Sequence, residues 1–167
     1  AGKYDPGAVS GGVAEADIVL QWALSIRWIF KQAGIDVWLS RDDDSDPNPV
    51  ATQDDRAEAA SCTHAISLHC NSAGAAASGT ETFYRDARDR QWGQEVHHIA
   101  LQAVQGRDRG MKHESQSQHK TLANFDFDGP CCLLELDFIT NPNARAKLQD
   151  RERRVKFAKG LLAKWNE

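Results

Sequence analysis

The run Cys131-Cys132-Leu133-Leu134-Glu135-Leu136 constrains the fold more than any other stretch of the chain. Consecutive apolar residues without alternation describe a strand covered on both faces, as in the middle of a sheet with helices packed against it. Neighbouring strand residues face opposite ways, so Cys131 and Cys132 read as two buried thiols rather than a bonded pair. A carboxylate inside such a run is costly to bury unless it is paired or binds something. Glu135 is therefore the most informative single residue. Its ordinary reading is one half of a buried ion pair, with Arg41 or Arg56 as partner.

Elements of two periods surround this strand. Ile18, Trp22, Ile26, Ile29 and Ala33 recur at spacings of three and four, which predicts a helix from about Val13 to Ala33. Gly34 ends it as a C-cap, and Ile35 to Ser40 follows as a strand. The opening, Ala1 to Gly12, and the acidic Arg41 to Val50 with its two prolines read as loops. Thr52 and Asp55 resemble a capping box for a short helix to about Ala60. Ala65 to His69 and Thr80 to Tyr84 read as strands, and Gln91 to Gln105 as a helix. Arg107 to Gly129 reads as irregular. Asn143 to Gln149 and Arg151 to Trp165 read as closing helices, the last with Val155, Ala158, Leu162 and Trp165 inward. Strands alternating with helices predict an α/β fold, a mixed central sheet flanked by helices on both faces in a single domain.

Length and charge narrow the function. The chain has 167 residues, enough for one domain with a real core. Its formal net charge of -4 carries no basic excess of the kind nucleic-acid binding requires. The cluster Arg151, Arg153, Arg154 and Lys156 alternates with other residue types and reads as a solvated helix face. No apolar run approaches the roughly 18 residues of a membrane span, and no signal peptide is visible. None of the four cysteines, Cys62, Cys70, Cys131 and Cys132, forms a C-x-x-C pair, so neither a four-cysteine zinc site nor a disulfide framework is expected. Synthesis in a reducing compartment follows.

Three polar residues stand at element ends. His69 ends one strand, Glu135 interrupts another, and Glu15 opens the long first helix. Sites in open α/β sheets gather at the carboxyl ends of strands. Taken one at a time, His69 reads as incidental and Glu15 as a carboxylate stabilising a helix N-terminus.

Their neighbours add a pattern. Tyr4-Asp5-Pro6-Gly7-Ala8 followed by Glu15 resembles a D-P-G-A turn with a helix-opening glutamate. Ser40-Arg41 through Arg56 resembles a T-R … R stretch. Ile66-Ser67-Leu68-His69-Cys70-Asn71-Ser72 resembles S-I-H-A-N, and Leu134-Glu135-Leu136-Asp137-Phe138-Ile139-Thr140-Asn141-Pro142 resembles L-E-L-G-F-I-T-N-P, with Arg109-Gly110 matching an R-G step between them. In this order and spacing the chain resembles the zinc-dependent N-acetylmuramoyl-L-alanine amidases of bacterial cell-wall hydrolysis. The resemblance implies one zinc ion with Glu15 and His69 as metal ligands, and Glu135 as the catalytic general base. Zinc keeps an open position for water, lowers that water's pKa and polarises the amide carbonyl. Asn71 stands where it can position substrate or the ligand shell.

Two departures qualify the resemblance. The family's first ligand is a histidine of a G-H-G motif that precedes D-P-G-A. The expectation is that residues 1–167 are the catalytic domain without that first strand, the third zinc ligand being a histidine upstream of Ala1. His64, His113 and His119 are the substitutes within the chain. Second, Asp137 stands where the family has glycine. Strand residues two apart share a face, so Asp137 either stands beside Glu135, raising the pair's pKa and weakening Glu135 as a base, or turns away beyond the strand's end. These departures leave an inactive peptidoglycan-binding or regulatory module as one alternative, and the shared metal chemistry leaves a zinc carboxypeptidase acting on stem peptides as another. With no added helix between His69 and Glu135, the compact domain looks like a phage endolysin. Such a protein is made in the host cytoplasm and acts on the cell wall in the periplasm. The expected partner is peptidoglycan, for a monomer with neither nucleic acid nor a stable membrane association.

Overall fold

A computed structural model describes residues 5–45 and 53–167. The capping-box residue Thr52 and part of the acidic loop lie outside them. The order of elements is β1 (Val9–Ser10), β2 (Val13–Ala14), α1 (Glu15–Gln32), α2 (Gln53–Ala59), β3 (Ala65–Asn71), β4 (Thr80–Tyr84), α3 (Ala87–Val104), β5 (Asp108–His113), β6 (Cys131–Phe138), α4 (Pro142–Gln149) and α5 (Arg151–Trp165). Short 3-10 turns at Glu114–Gln116 and Ala123–Asp126 join β5 to β6.

Strands β3, β6, β4 and β5 form one sheet in that order. β3 runs parallel to β6, β4 antiparallel to β6, and β5 parallel to β4. This is the mixed α/β sheet that the sequence predicts, and β6 sits inside it. The alternation along β6 divides the core. Cys132, Leu134 and Leu136 join Ile18, Trp22, Val96, Phe157 and Leu161 under α1, α3 and α5. Cys131 and Leu133 join Phe83, Phe125, Phe127 and Ala57 under α2 and the second 3-10 turn. The two adjacent thiols are thus free and buried on opposite faces, as expected. Among the described residues, no helix is long and apolar enough to cross a membrane.

Helix α1 ends where the sequence places its stop. Gly34 takes φ +76°, its N–H donates to Lys31 O, and the Ile35 N–H donates to Phe30 O at 3.1 Å, the paired bonds of a Schellman cap. Phe30, not Ala33, completes the buried stripe.

The structure corrects several expectations. The glycine-rich opening contains a hairpin: Gly11 and Gly12 take φ 58° and 76° between β1 and β2, positive values that suit a two-residue type I′ turn. Ile35 to Ser40 forms no ladder among the described residues. It lies across a cleft of about 1690 Å³ from β3, with Val37, Leu39, Ile66 and Leu68 in the lining, and a strand is defined only by the ladder it joins. Arg107 to Gly129 is not wholly irregular, since it holds β5. Helix α3 starts earlier than Gln91, because Asp86 caps it by accepting from the Asp89 N–H. In α5 the inward residues are Phe157, Ala158 and Leu161, while Trp165 stays 42% exposed. The basic cluster is only partly solvated, because Arg153 donates to the carbonyls of Ala103 and Val104 at the end of α3.

Candidate active site

Glu15 is fixed from three directions. The Asp5-Pro6-Gly7-Ala8 turn folds back on the start of α1, where the Glu15 N–H donates to Ala8 O and the Ala16 N–H to Pro6 O. In return the Ala8 N–H donates to Glu15 Oε2 at 3.0 Å. Gly7 takes φ +63°, and a Cβ there would lie 2.6 Å from Glu15 Oε2. Only glycine accommodates both that backbone and that approach. Glu15 Oε1 accepts from the Cys70 N–H at 3.1 Å and sits 3.1 Å from His69 Nδ1. Burial pushes the Glu15 carboxyl up, but the hydrogen bonds from His69, Ala8 and Cys70 outweigh it and hold it below the usual carboxylate value. The His69 imidazole is held above its ordinary value: burial opposes the charged form, but the bond to Glu15 and the charges of Glu135 and Glu15 prevail. His69 remains reachable, with 43% of its side chain open.

Ladder register sets a row across the sheet. His69 on β3 is paired with Glu135 on β6, and Glu135 with Glu81 on β4. All three side chains leave the face that carries Leu133 and Phe83, just past the end of that apolar layer. Glu135 Oε2 is buried with no hydrogen-bond partner among the described residues. Burial, reinforced by the charges of Glu15 and Glu81 against the opposing pull of His69 and Lys112, raises its carboxyl to about 7. Perturbed carboxyls of this kind gather at functional sites.

Glu81 has the opposite surroundings. It is 4% exposed. Its Oε2 accepts from Arg109 Nε and Lys112 Nζ, each at 2.6 Å, and its Oε1 from Asn71 Nδ2 at 2.8 Å. Burial raises its carboxyl, yet these two cations bring it below the usual value. Glu81 and Lys112 were missed in the sequence. The signal was present, since Glu81 is a carboxylate inside the strand Thr80–Tyr84, as Glu135 is in β6.

Asp137 does not join this group. Between His69 and Asn71 the β3–β6 ladder slips, with one residue of β3 facing two of β6. Such a bulge breaks the two-residue alternation. Asp137 is 1% exposed, and its Oδ1 accepts from the N–H groups of Gly79 at 2.6 Å and Phe138 at 2.8 Å. The carboxylates that raise Glu135 most are Glu15 and Glu81, while Asp137 is engaged by the Gly79 and Phe138 N–H groups. Arg41 is engaged with Asp44 and the Ala16 carbonyl rather than with Glu135. Nor do the substitute histidines join: His64 packs between the rings of Trp92 and Trp165, His113 caps the first 3-10 turn, and His119 is exposed.

Glu15 and His69 suit a zinc ion as far as they go. An oxygen and a nitrogen bound to one tetrahedral ion at ~2.0–2.1 Å lie roughly 3.3 Å apart, and Oε1 and Nδ1 are 3.1 Å apart. A catalytic zinc takes three protein ligands. Among the described residues no group of three or more His, Cys, Asp or Glu side chains could hold a metal, so Glu15 and His69 do not by themselves complete a catalytic zinc site.

A carboxyl with one buried, unpartnered oxygen and a carboxylate-bound histidine, on adjacent parallel strands, form the candidate site on the α/β sheet. Residues 1–164 match the family model described as Amidase_3, N-acetylmuramoyl-L-alanine amidase. The uncharacterized protein YqiI of Bacillus subtilis (strain 168) is 33% identical over 168 residues, covering 96% of this chain and 77% of that protein. The sporulation-specific N-acetylmuramoyl-L-alanine amidase of the same strain is 34% identical over 160 residues, 89% of this chain and 57% of that one. Among solved structures, the catalytic domain of CwlV, an N-acetylmuramoyl-L-alanine amidase from Bacillus (Paenibacillus) polymyxa var. colistinus, superposes with a TM-score of 0.82 at 26% identity, over 99% of this chain and 93% of that one. The chain belongs to the N-acetylmuramoyl-L-alanine amidase family, a family of peptidoglycan hydrolases.

Proposed function

We propose that this chain hydrolyses the amide between N-acetylmuramic acid and L-alanine at the row His69–Glu135, with Glu135 as general base and Glu15 and His69 as two ligands of one zinc ion. The observation that carries the reading is the Glu135 carboxylate, buried and unpartnered at Oε2, one strand from His69. When bound, zinc supplies Lewis acidity to the scissile carbonyl and to a water.

The protein's own residues do the rest. The Asp5–Ala8 turn and the Cys70 N–H hold the Glu15 carboxylate against His69, so the pair is oriented before substrate arrives. Glu135 Oε2 takes a proton from the attacking water and returns it to the departing alanine nitrogen, a role typically worth ~10²–10⁴-fold in rate. The open side of His69 leaves room for a muramoyl-peptide. The proposed setting is the cell wall in the periplasm, reached at phage lysis by a monomer made in the host cytoplasm.

Digestion of purified sacculi followed by mass spectrometry tests the reaction. Peptides beginning at L-alanine, with glycan strands left whole, are the expected products. Stem peptides trimmed only at their C-termini would identify a carboxypeptidase instead, and undigested sacculi an inactive module. Glu135→Gln is expected to abolish cleavage while keeping the melting temperature; retained cleavage removes Glu135 from its role.

A further inference from the structure

Strand β5 carries two cations that the hydrolytic row does not use. Arg109 and Lys112 are three residues apart, and at that spacing regular strand residues point to opposite faces. Here they converge on one atom, Glu81 Oε2, each at 2.6 Å. The ladder shows how. Thr80 pairs with Asp108 but Glu81 with Gly110, so Arg109 is an extra residue in β5. Gly110 takes φ +81° at that point. This bulge turns Arg109 onto the face of Lys112. Arg109 is also fixed over the Phe138 ring at 5.0 Å and packed on Gly79, where a Cβ would lie 2.8 Å from its Cγ.

The charges do not cancel within this cluster. Two cations share one carboxylate, whose other oxygen is occupied by Asn71. Both Arg109 Nη groups lack a protein acceptor among the described residues, and no hydrogen bond joins Glu135 to either cation. The side chains keep 31% and 26% of their surface open. The result is a pinned, solvent-reachable, singly positive fork, carried by β5 two strands beyond Glu135 and converging on Glu81 of the intervening β4. Guanidinium and ammonium groups held this way suit a carboxylate.

We propose that Arg109 and Lys112 form a subsite that reads a free α-carboxylate on the residue following L-alanine in the stem peptide. The assignment rests on the amidase reading above. Two residues of extended peptide from the scissile nitrogen span roughly 7 Å. One to two strand spacings are about 5–10 Å, so the reach agrees.

The probes are L-alanyl-D-alanine and its C-terminal carboxamide, which differ only at that group. Binding is followed by NMR titration, so it is read whether or not the protein cleaves sacculi. Failure of the amidase reading appears separately, as sacculi left uncut at the muramoyl–alanine bond. The intact protein is expected to bind the acid at least ~10-fold more tightly than the carboxamide. Arg109→Gln and Lys112→Gln are expected to reduce that ratio to within ~2-fold, and Lys112→Arg to keep most of it. Equal binding of the two probes by the unsubstituted protein overturns the proposal, even where a variant fails to fold. A folded Lys112→Gln or Arg109→Gln protein that keeps the tenfold preference overturns it as well.

Discussion

Replacing Asp137 with alanine separates two accounts of this residue. As an active-site carboxylate it would leave the fold alone and act on Glu135. As the buried acceptor seen here it holds the Gly79 turn, which leads into β4, against the end of β6. A hydrogen bond to a charged acceptor contributes ~1.5–3 kcal/mol, and a buried donor left without a partner costs ~1–3 kcal/mol. Two N–H donors share Oδ1. Removing the carboxylate also relieves its own burial, which offsets part of the loss. The expected net destabilisation is ~2–4 kcal/mol. For a domain of this size that lowers the melting temperature by roughly 5–15 °C. Asp137→Asn keeps an acceptor at Oδ1 and is expected to lose about half as much. Urea unfolding followed by circular dichroism measures both. A loss below ~1 kcal/mol for Asp137→Ala, together with a changed pH dependence of sacculus cleavage, would refute the structural role.

Three further outcomes follow from particular contacts. Gly7→Ala places a methyl 2.6 Å from Glu15 Oε2 at φ +63°; the backbone alone costs ~1–2 kcal/mol, and cleavage of sacculi should fall more steeply than the melting temperature. Trp22→Phe, at a site that is fully buried, removes the Nε1–H donor to Leu148 O at 2.8 Å and should destabilise by ~1–3 kcal/mol in the same urea assay. The Glu114 carboxyl is pushed up by burial, but bonds from Arg85 and the Leu122 N–H hold it below its usual value. Because its folded pKa is depressed, its stabilisation is present above the unfolded value of ~4.3 and is lost as pH falls through the folded one. Arg85→Met should flatten the decline of stability below about pH 4.3, and an unchanged acid limb would remove Glu114 from that role.

The sequence could be read furthest where one period dominates. The stripe Ile18, Trp22, Ile26, Ile29 marks α1 whatever it packs on, and Gly34 ends it by a local backbone requirement. The unbroken run Cys131–Leu134 identifies an inner strand, because two buried faces leave no alternation. Local punctuation was less legible where a signal had two meanings. Gly11-Gly12 is a loop by composition and a hairpin turn by backbone angle. The polar Arg107–Gly129 hides β5, whose charged residues Arg109 and Lys112 serve Glu81 instead of solvent.

By itself the sequence determined the α/β class and the inner position of β6, and it singled out Glu135, while Glu15 and His69 entered only through the family resemblance. The physical reason is that burial periodicity, and the cost of a charge among leucines, are local properties of the chain. Only the tertiary structure decided which carboxylates face one another. Two ladder slips, each of a single residue, turn Asp137 away from Glu135 and bring Arg109 round to Lys112. A one-residue change of register moves a side chain to the other face, and register belongs to pairs of strands, not to either strand alone.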